Sequence, residues 1–225
     1  MLSALGSQLA RLFWGHYPIN ETFLHCAQSE LPFISIDLEL TSLETETAKI
    51  TSIGWVKGKM NEVDLATAEY DVVRASGDLF QSPVIHGLCA KEIASGSHIR
   101  EKIEALREYA DSHIWVFHNA ALDMSVLQRV SKLLGYEPLI ISTIDTMLLQ
   151  VYIMEKAHGF VPGGSVTLSN ARAHYNLIEA PEHNALDDAV ATLSLLFAQF
   201  HELDKKGVAS LRDLAHTRAI RTYQL

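Results

Sequence analysis

The stretch PFISIDLEL, residues 32–40, constrains the fold more than any other. Its alternation fits a strand with Ile34, Ile36, Leu38 and Leu40 on one face and Phe33, Ser35, Asp37 and Glu39 on the other. Two carboxylates side by side on one face of an apolar strand repel each other, and burial makes the repulsion worse. Either they lie on a solvated acidic edge or they share one cation or two.

The rest of the chain reads as further strands followed by strand–helix alternation. A second strand is expected over 49–56, a turn near KGKM, and a third strand around 70–74. Helical periodicity runs from Ile99 to Tyr109, followed by the apolar strand IWVF at 114–117. A helix from Asn119 ends before Gly135, with Leu122, Val126, Val130 and Leu133 on its apolar stripe. A short strand at 139–142, a helix over 146–156 and the loop HGFVPGG come next; SVTLSNARAHY then opens another helix. The last long helix starts after Asn184 and reaches about His201. Strands in series and then alternation with helices predict an α/β domain with a mixed central sheet flanked by helices. The expected organisation is an N-terminal helical extension over 1–29, one main domain over 30–201 and a C-terminal tail over 202–225 that packs on the domain or extends from it. Residues 8–14 are expected to form an amphipathic helix suited to docking on the domain or on a partner.

Composition narrows the function classes. At 225 residues and 48% hydrophobic content the chain can bury one sizeable core. Its formal charge of -9 and scattered basic residues lack the footprint of a tight duplex-DNA binder, while an enzyme meeting nucleic acid through cations stays open. Residues 202–225 carry five basic and three acidic side chains, which makes the tail the better candidate for non-specific phosphate contact. Cys26 and Cys89 are too few for a disulfide scaffold and lack metal-ligand spacing, so a reducing, cytoplasmic setting is the expectation. No apolar run reaches the roughly 18 residues of a membrane span.

Two more segments bring acids toward the first strand. Asp123 falls in the first turn of the helix after IWVF, at a strand-to-helix junction where active sites of open α/β sheets gather; a helix N-terminus that favours anions is the plainer explanation. In HNALDDAVATL, 183–193, Asn184 is a natural N-cap and Asp187 falls at N3 in a capping-box-like arrangement. That leaves Asp188, which points away from the stripe headed by Leu186, and His183, which stands before the cap within reach of the same space.

Taken together, D-x-E in the first strand, an aspartate after a later strand and H-x-x-x-x-D in a late helix resemble the DEDDh group of 3′ to 5′ exonucleases, DnaQ-like proteins related to the proofreading epsilon subunit of bacterial replicative DNA polymerase. FISIDLELTSL, FHNAALDMSVL and HNALDDAVATL match the three family motifs over roughly residues 30–201. The resemblance implies a ribonuclease-H-like fold in which Asp37, Glu39, Asp123 and Asp188 hold metal and His183 is the catalytic histidine. It also implies that Thr41 offers its hydroxyl or amide to the substrate. Asn119 could orient a neighbour or touch the terminal nucleotide, or simply cap its helix; His86 in VIHGL could border the substrate channel or make a loop hydrogen bond. No catalytic role is carried onto Asp145. Ser42 stands where the family has a glycine and Leu122 where it has an aromatic residue; neither change removes a ligand.

Four carboxylates are hard oxygen ligands, which favours Mg²⁺, with Mn²⁺ as a substitute, over a structural zinc site. Two such ions about 4 Å apart are the arrangement that phosphodiester hydrolysis uses, and an imidazole that changes charge near neutrality suits removal of a proton from water. The expected activity is metal-dependent trimming of DNA from a single-stranded or frayed 3′ end, with release of nucleoside 5′-monophosphates. The rival readings are an RNA-trimming exoribonuclease and a polymerase-associated scaffold with little activity. The expected partners are a nucleic acid with a free 3′ end and, through the N-terminal extension, a polymerase or repair protein.

Overall fold

The computed structural model describes residues 19–75, 88, 90–181, 183–208 and 210–225. The expected helix at 8–14 and His86 lie outside these residues. The described elements are α1 (Glu21–His25), a 3₁₀ turn (Gln28–Glu30), β1 (Phe33–Leu40), β2 (Ile50–Lys59), β3 (Glu62–Val72), α2 (Ala90–Ser95), α3 (Ile99–Arg107), β4 (Ile114–Phe117), α4 (Ala120–Leu133), β5 (Ile140–Asp145), α5 (Thr146–His158), α6 (Leu168–His174), α7 (Ala185–Asp204), α8 (Leu211–Leu214) and β6 (Ile220–Gln224).

The strands join in one mixed sheet of order β3-β2-β1-β4-β5-β6. β1 pairs antiparallel with β2 and parallel with β4; β5 continues parallel to β4, and β6 closes the far edge antiparallel to β5. Period-two alternation sorts the strand residues between two cores. Phe33, Val56, Val116 and Ile144 pack on the face covered by α5 and α7, while Ile34, Ile36, Leu38, Trp115 and Phe117 pack on the face covered by α3 and α4. Phe33 sits 6.1 Å from Phe197 and 6.0 Å from Phe200, ring centroid to centroid, which docks α7 across β1.

The sequence expectation for the mixed α/β sheet holds, with three differences in detail. The β2–β3 hairpin turns at Met60–Asn61, where Asn61 takes a left-handed φ of 64°, so KGK lies within β2 and β3 is far longer than the expected 70–74. The short strand at 139–142 extends to Asp145. The segment expected as a tail contributes β6, a sixth strand, with Ile220 and Thr222 buried and Arg221 exposed between them. Among the described residues, no helix is long and apolar enough to cross a membrane.

Candidate active site

The alternation of β1 puts Asp37 and Glu39 on the Phe33 side of the strand, under the start of α7. Asp37 pairs in register with Gly54 of β2, and the missing side chain of Gly54 admits α7. A Cβ built there would lie 2.3 Å from the Leu186 amide nitrogen and 2.4 Å from the Ala185 carbonyl carbon. With the backbone of α7 seated this close, its first turn brings Asp188 over β1. One carboxylate oxygen each from Asp37, Glu39 and Asp188 then lie within 4.8 Å of one another. The β1–β2 register shifts just after Glu39, and Thr51 donates its hydroxyl to the Glu39 carbonyl (3.0 Å), so an irregularity fixed by a buried bond sits where the acids converge.

The entry to α7 ties the histidine to the same acids. Asn184 caps the helix, accepting from the amides of Leu186 (3.0 Å) and Asp187 (3.2 Å), as its position predicted. The acid that reaches back over the cap is Asp188, not Asp187: its Oδ2 accepts from the His183 amide at 3.1 Å. His183 takes a left-handed φ of 67° and, with Asp37 and Asp188, lines a cavity of about 660 Å³.

Asp123 arrives from the other side of the sheet. After β4 the chain passes through Asn119, which has a left-handed φ of 82° and makes no side-chain cap. The helix-capping role expected of Asn119 belongs instead to Asp145 at the end of β5. Oδ1 of Asp145 accepts from the amides of Asn119 (3.2 Å), Met147 (3.0 Å) and Leu148 (3.1 Å), and Oδ2 accepts from Ala120 (2.9 Å). One buried carboxylate thus holds the N-termini of both α4 and α5. Asp123, in the first turn of α4, is itself buried and is met by a hydrogen bond from the backbone at Leu38, between Asp37 and Glu39.

The electrostatics follow from this convergence. Burial first, then Asp123, Glu39 and Asp188 in turn, hold the Asp37 carboxyl well above the usual carboxylate range. Asp123 is likewise pushed up, chiefly by burial, with Asp145 and Glu39 adding to the rise and backbone hydrogen bonds opposing it. Carboxyls at Asp37 and Asp123 whose ionisation burial and neighbouring acids make costly belong to a donor set that a divalent cation relieves. The residues therefore fit hard oxygen-coordinated metal.

Three further residues complete the site. Thr41 is buried; its amide donates to the Lys49 carbonyl (3.0 Å) and its Oγ1 accepts from the Lys49 amide (2.9 Å). The Thr41 amide is therefore committed within the fold, and of the two groups named for Thr41 the hydroxyl proton is what remains to donate. His118, unremarked in the sequence although it begins HNAALD, lines the cavity; Nε2 donates to the Val166 carbonyl (2.9 Å) and Nδ1 lies 2.8 Å from the Thr146 hydroxyl. Burial lowers its pKa to about 4, so the ring is a neutral strut. Arg172, on α6, also lines the cavity, with a guanidinium that donates to the carbonyls of Ala191 and Ile178.

A comparison with protein families decides what this arrangement is. The profile of the RNase_T family, described as exonucleases, matches residues 34–196. The chain belongs to this family. It is a DEDD-type exonuclease domain, similar over 187 residues, 25% identical, to the DNA polymerase III subunit epsilon-like protein of Rhodobacter capsulatus, and over 192 residues, 24% identical, to the PolC-type DNA polymerase III of Thermotoga petrophila. These matches cover 80% and 83% of the chain but only 25% and 13% of the two relatives. Among solved structures, the exonuclease domain superposes on cell-death related nuclease 4 with a TM-score of 0.64 at 11% identity (76% of this chain, 64% of that one). On Exonuclease X in complex with 5′ overhanging duplex DNA the TM-score is 0.57 at 22% identity, with 76% and 92% covered. On E. coli Exonuclease I in complex with a dA16 oligonucleotide it is 0.64 at 13% identity, with 78% and 42% covered.

Proposed function

We propose that the protein hydrolyses the terminal phosphodiester bond at a free 3′ end of DNA, single-stranded or frayed, and releases nucleoside 5′-monophosphates. The observation that carries this reading is the meeting of Asp37, Glu39 and Asp188 within 4.8 Å, with Asp123 acting on Asp37 from a separate helix. Membership of the exonuclease family supports the reaction class. The nucleic acids in the Exonuclease X and Exonuclease I structures, a 5′ overhanging duplex and a dA16 oligonucleotide, support DNA as the polymer.

In this reading Asp37, Glu39, Asp123 and Asp188 hold two Mg²⁺ ions, with Mn²⁺ as a substitute. Bound there, the ions supply charge neutralisation at the phosphoryl group and at the leaving 3′ oxygen. His183 takes the proton from the attacking water; the hydrogen bond from its backbone N–H to Asp188 Oδ2 keeps its loop beside the acids. The Thr41 hydroxyl and Asn119 border the terminal nucleotide. His118, fixed between Thr146 and Val166, holds the wall of the cavity and does not exchange protons near neutrality. A cytoplasmic setting accords with the paucity of cysteine.

The test is a panel of 3′-blocked and free single-stranded DNA, mismatched duplex DNA and matched RNA, with Mg²⁺, products resolved to one nucleotide and Asp188→Ala as control. Stepwise shortening of free DNA ends is expected. Preferential shortening of RNA would move the assignment to an exoribonuclease. Intact substrates throughout, alongside co-purification with a polymerase, would leave a scaffold.

A further inference from the structure

The side chain of Arg172 is the one buried cation described at the cavity wall, with the residue only 9% exposed. Its Nη1 donates to the Ala191 carbonyl at 2.7 Å and its Nη2 to the Ile178 carbonyl at 2.7 Å. These acceptors belong to different pieces of the site. Ala191 lies three residues beyond Asp188 on α7, whereas Ile178 lies in the segment between α6 and α7 that also carries His183. The backbone of Arg172 holds the same loop from the other side: its carbonyl accepts from the Leu177 amide at 3.1 Å as the chain turns back through Asn176, which has a left-handed φ of 54°. At its far end the loop is fixed by the His183 amide on Asp188 Oδ2. Burial lowers the pKa of the guanidinium, and the Asp188 carboxylate nearby opposes that shift.

We propose that Arg172 is a positioning residue, a planar bridge that sets the His183-bearing loop at a fixed height on α7 relative to Asp188. The proposal rests on the functional reading above for its catalytic consequence and on geometry alone for the bridge. A guanidinium suits the task because its two terminal nitrogens point along fixed, diverging directions and bond two carbonyls at once. An ammonium is a point donor on a flexible stem and reaches one carbonyl or the other. With the Ile178 carbonyl released, the loop keeps the Leu177 amide on the Arg172 carbonyl and the His183 amide on Asp188 Oδ2, and loses the side-chain tie that joins it to Ala191 of α7. Displacements of about 1 Å at a reacting group cost on the order of a hundredfold in rate, while substrate held by the metal-bearing acids is still bound.

The experiment compares wild type with Arg172→Lys, Arg172→Met and Arg172→Ala. Two measurements are made: steady-state cleavage of a short single-stranded DNA with Mg²⁺, and amide hydrogen exchange without substrate. Arg172→Met and Arg172→Lys are expected to lower kcat by about 10- to 100-fold with KM changed less than about threefold. Exchange should quicken over 177–183 and stay as in wild type over β1 and α4. Adding guanidinium at millimolar concentration should restore part of the kcat of Arg172→Ala, and methylammonium should not. Wild-type kcat in Arg172→Met, or exchange that quickens over β1 and α4 as much as over the loop with no rescue by guanidinium, would overturn the proposal. A wild-type protein that cleaves nothing would sink the functional reading alone, because the exchange contrast reads the bridge without any turnover.

Discussion

Asp37 and Gly54 face each other across the β1–β2 ladder, and the second of them determines how close α7 comes to the first. The helix carrying Asp188 rests its backbone where a side chain would stand. Gly54→Ala must push the Ala185–Leu186 backbone off the sheet, because the clash is with main chain and not with the end of a flexible side chain. Overpacking of this kind costs about 1–3 kcal/mol. The variant should fold, melt at lower temperature and lose at least about tenfold in cleavage rate, with weaker Mn²⁺ binding by titration. Unchanged Mn²⁺ affinity would show that α7 can yield without moving Asp188.

Asp37→Asn should stabilise the metal-free protein while abolishing its activity. The Asp37 pKa is raised by burial and by Asp123, Glu39 and Asp188, so the folded state favours the protonated form. That contribution is present at low pH and is lost as the pH rises from the unfolded value through the raised folded one, leaving a cost at neutrality. An amide removes the charge. In EDTA the variant should melt higher, by roughly 2–4 °C for each kcal/mol relieved. Added Mg²⁺ should raise the melting temperature of wild type and do little for Asp37→Asn. A variant that melts below wild type in EDTA would mean that the bonds Asp37 makes outweigh the repulsion among the acids.

Asp145→Ala removes four amide partners at once and should destabilise the fold by about 2–4 kcal/mol in urea unfolding. Activity per folded molecule should fall as well, since α4 carries Asp123 and loses its anchor to β5. Full specific activity in the folded fraction would separate the cap from the site.

His118 contributes to stability within a defined pH window. Its folded pKa of about 4 lies below the ordinary 6.5, so between these values the unfolded chain takes up a proton that the folded one refuses. The contribution is fully present above 6.5 and is lost as the pH falls toward about 4, by on the order of 3 kcal/mol. Urea unfolding of wild type against His118→Gln across that window should show the wild-type curve falling more steeply. Parallel curves would mean that the ring takes up its proton in the folded state as readily as in the unfolded one.

Much of the site was legible because it is built from local periodicities. Alternation in 33–40 placed Asp37 and Glu39 on the Phe33 side, and Phe33 does pack under α7 while Ile34, Ile36 and Leu38 face the other core. The spacing of His183 and Asp188 around an Asn184 cap foretold their nearness, although the reaching acid proved to be Asp188. What stayed hidden depends on neighbours distant in the chain. The double cap at Asp145 requires β5 to lie against β4, and the hold on His118 requires α5 and the Val166 loop to meet around it. β6 escaped notice because its few residues show only a brief alternation and the charges around them suggested a solvated tail. Arg172 drew no notice within SVTLSNARAHY; its two carbonyl partners become neighbours only once α6 packs on α7.

The acids of the cluster stand at positions 37, 39 and 188, at opposite ends of the matched region. A chain emerging from the ribosome therefore carries an incomplete acidic cluster through most of its synthesis, and α7 must dock before all three carboxylates stand together. On the proposed reading, cleavage becomes a report on the finished fold: a nascent or truncated product that exposes the first strand near nucleic acid is chemically silent until α7 closes over it.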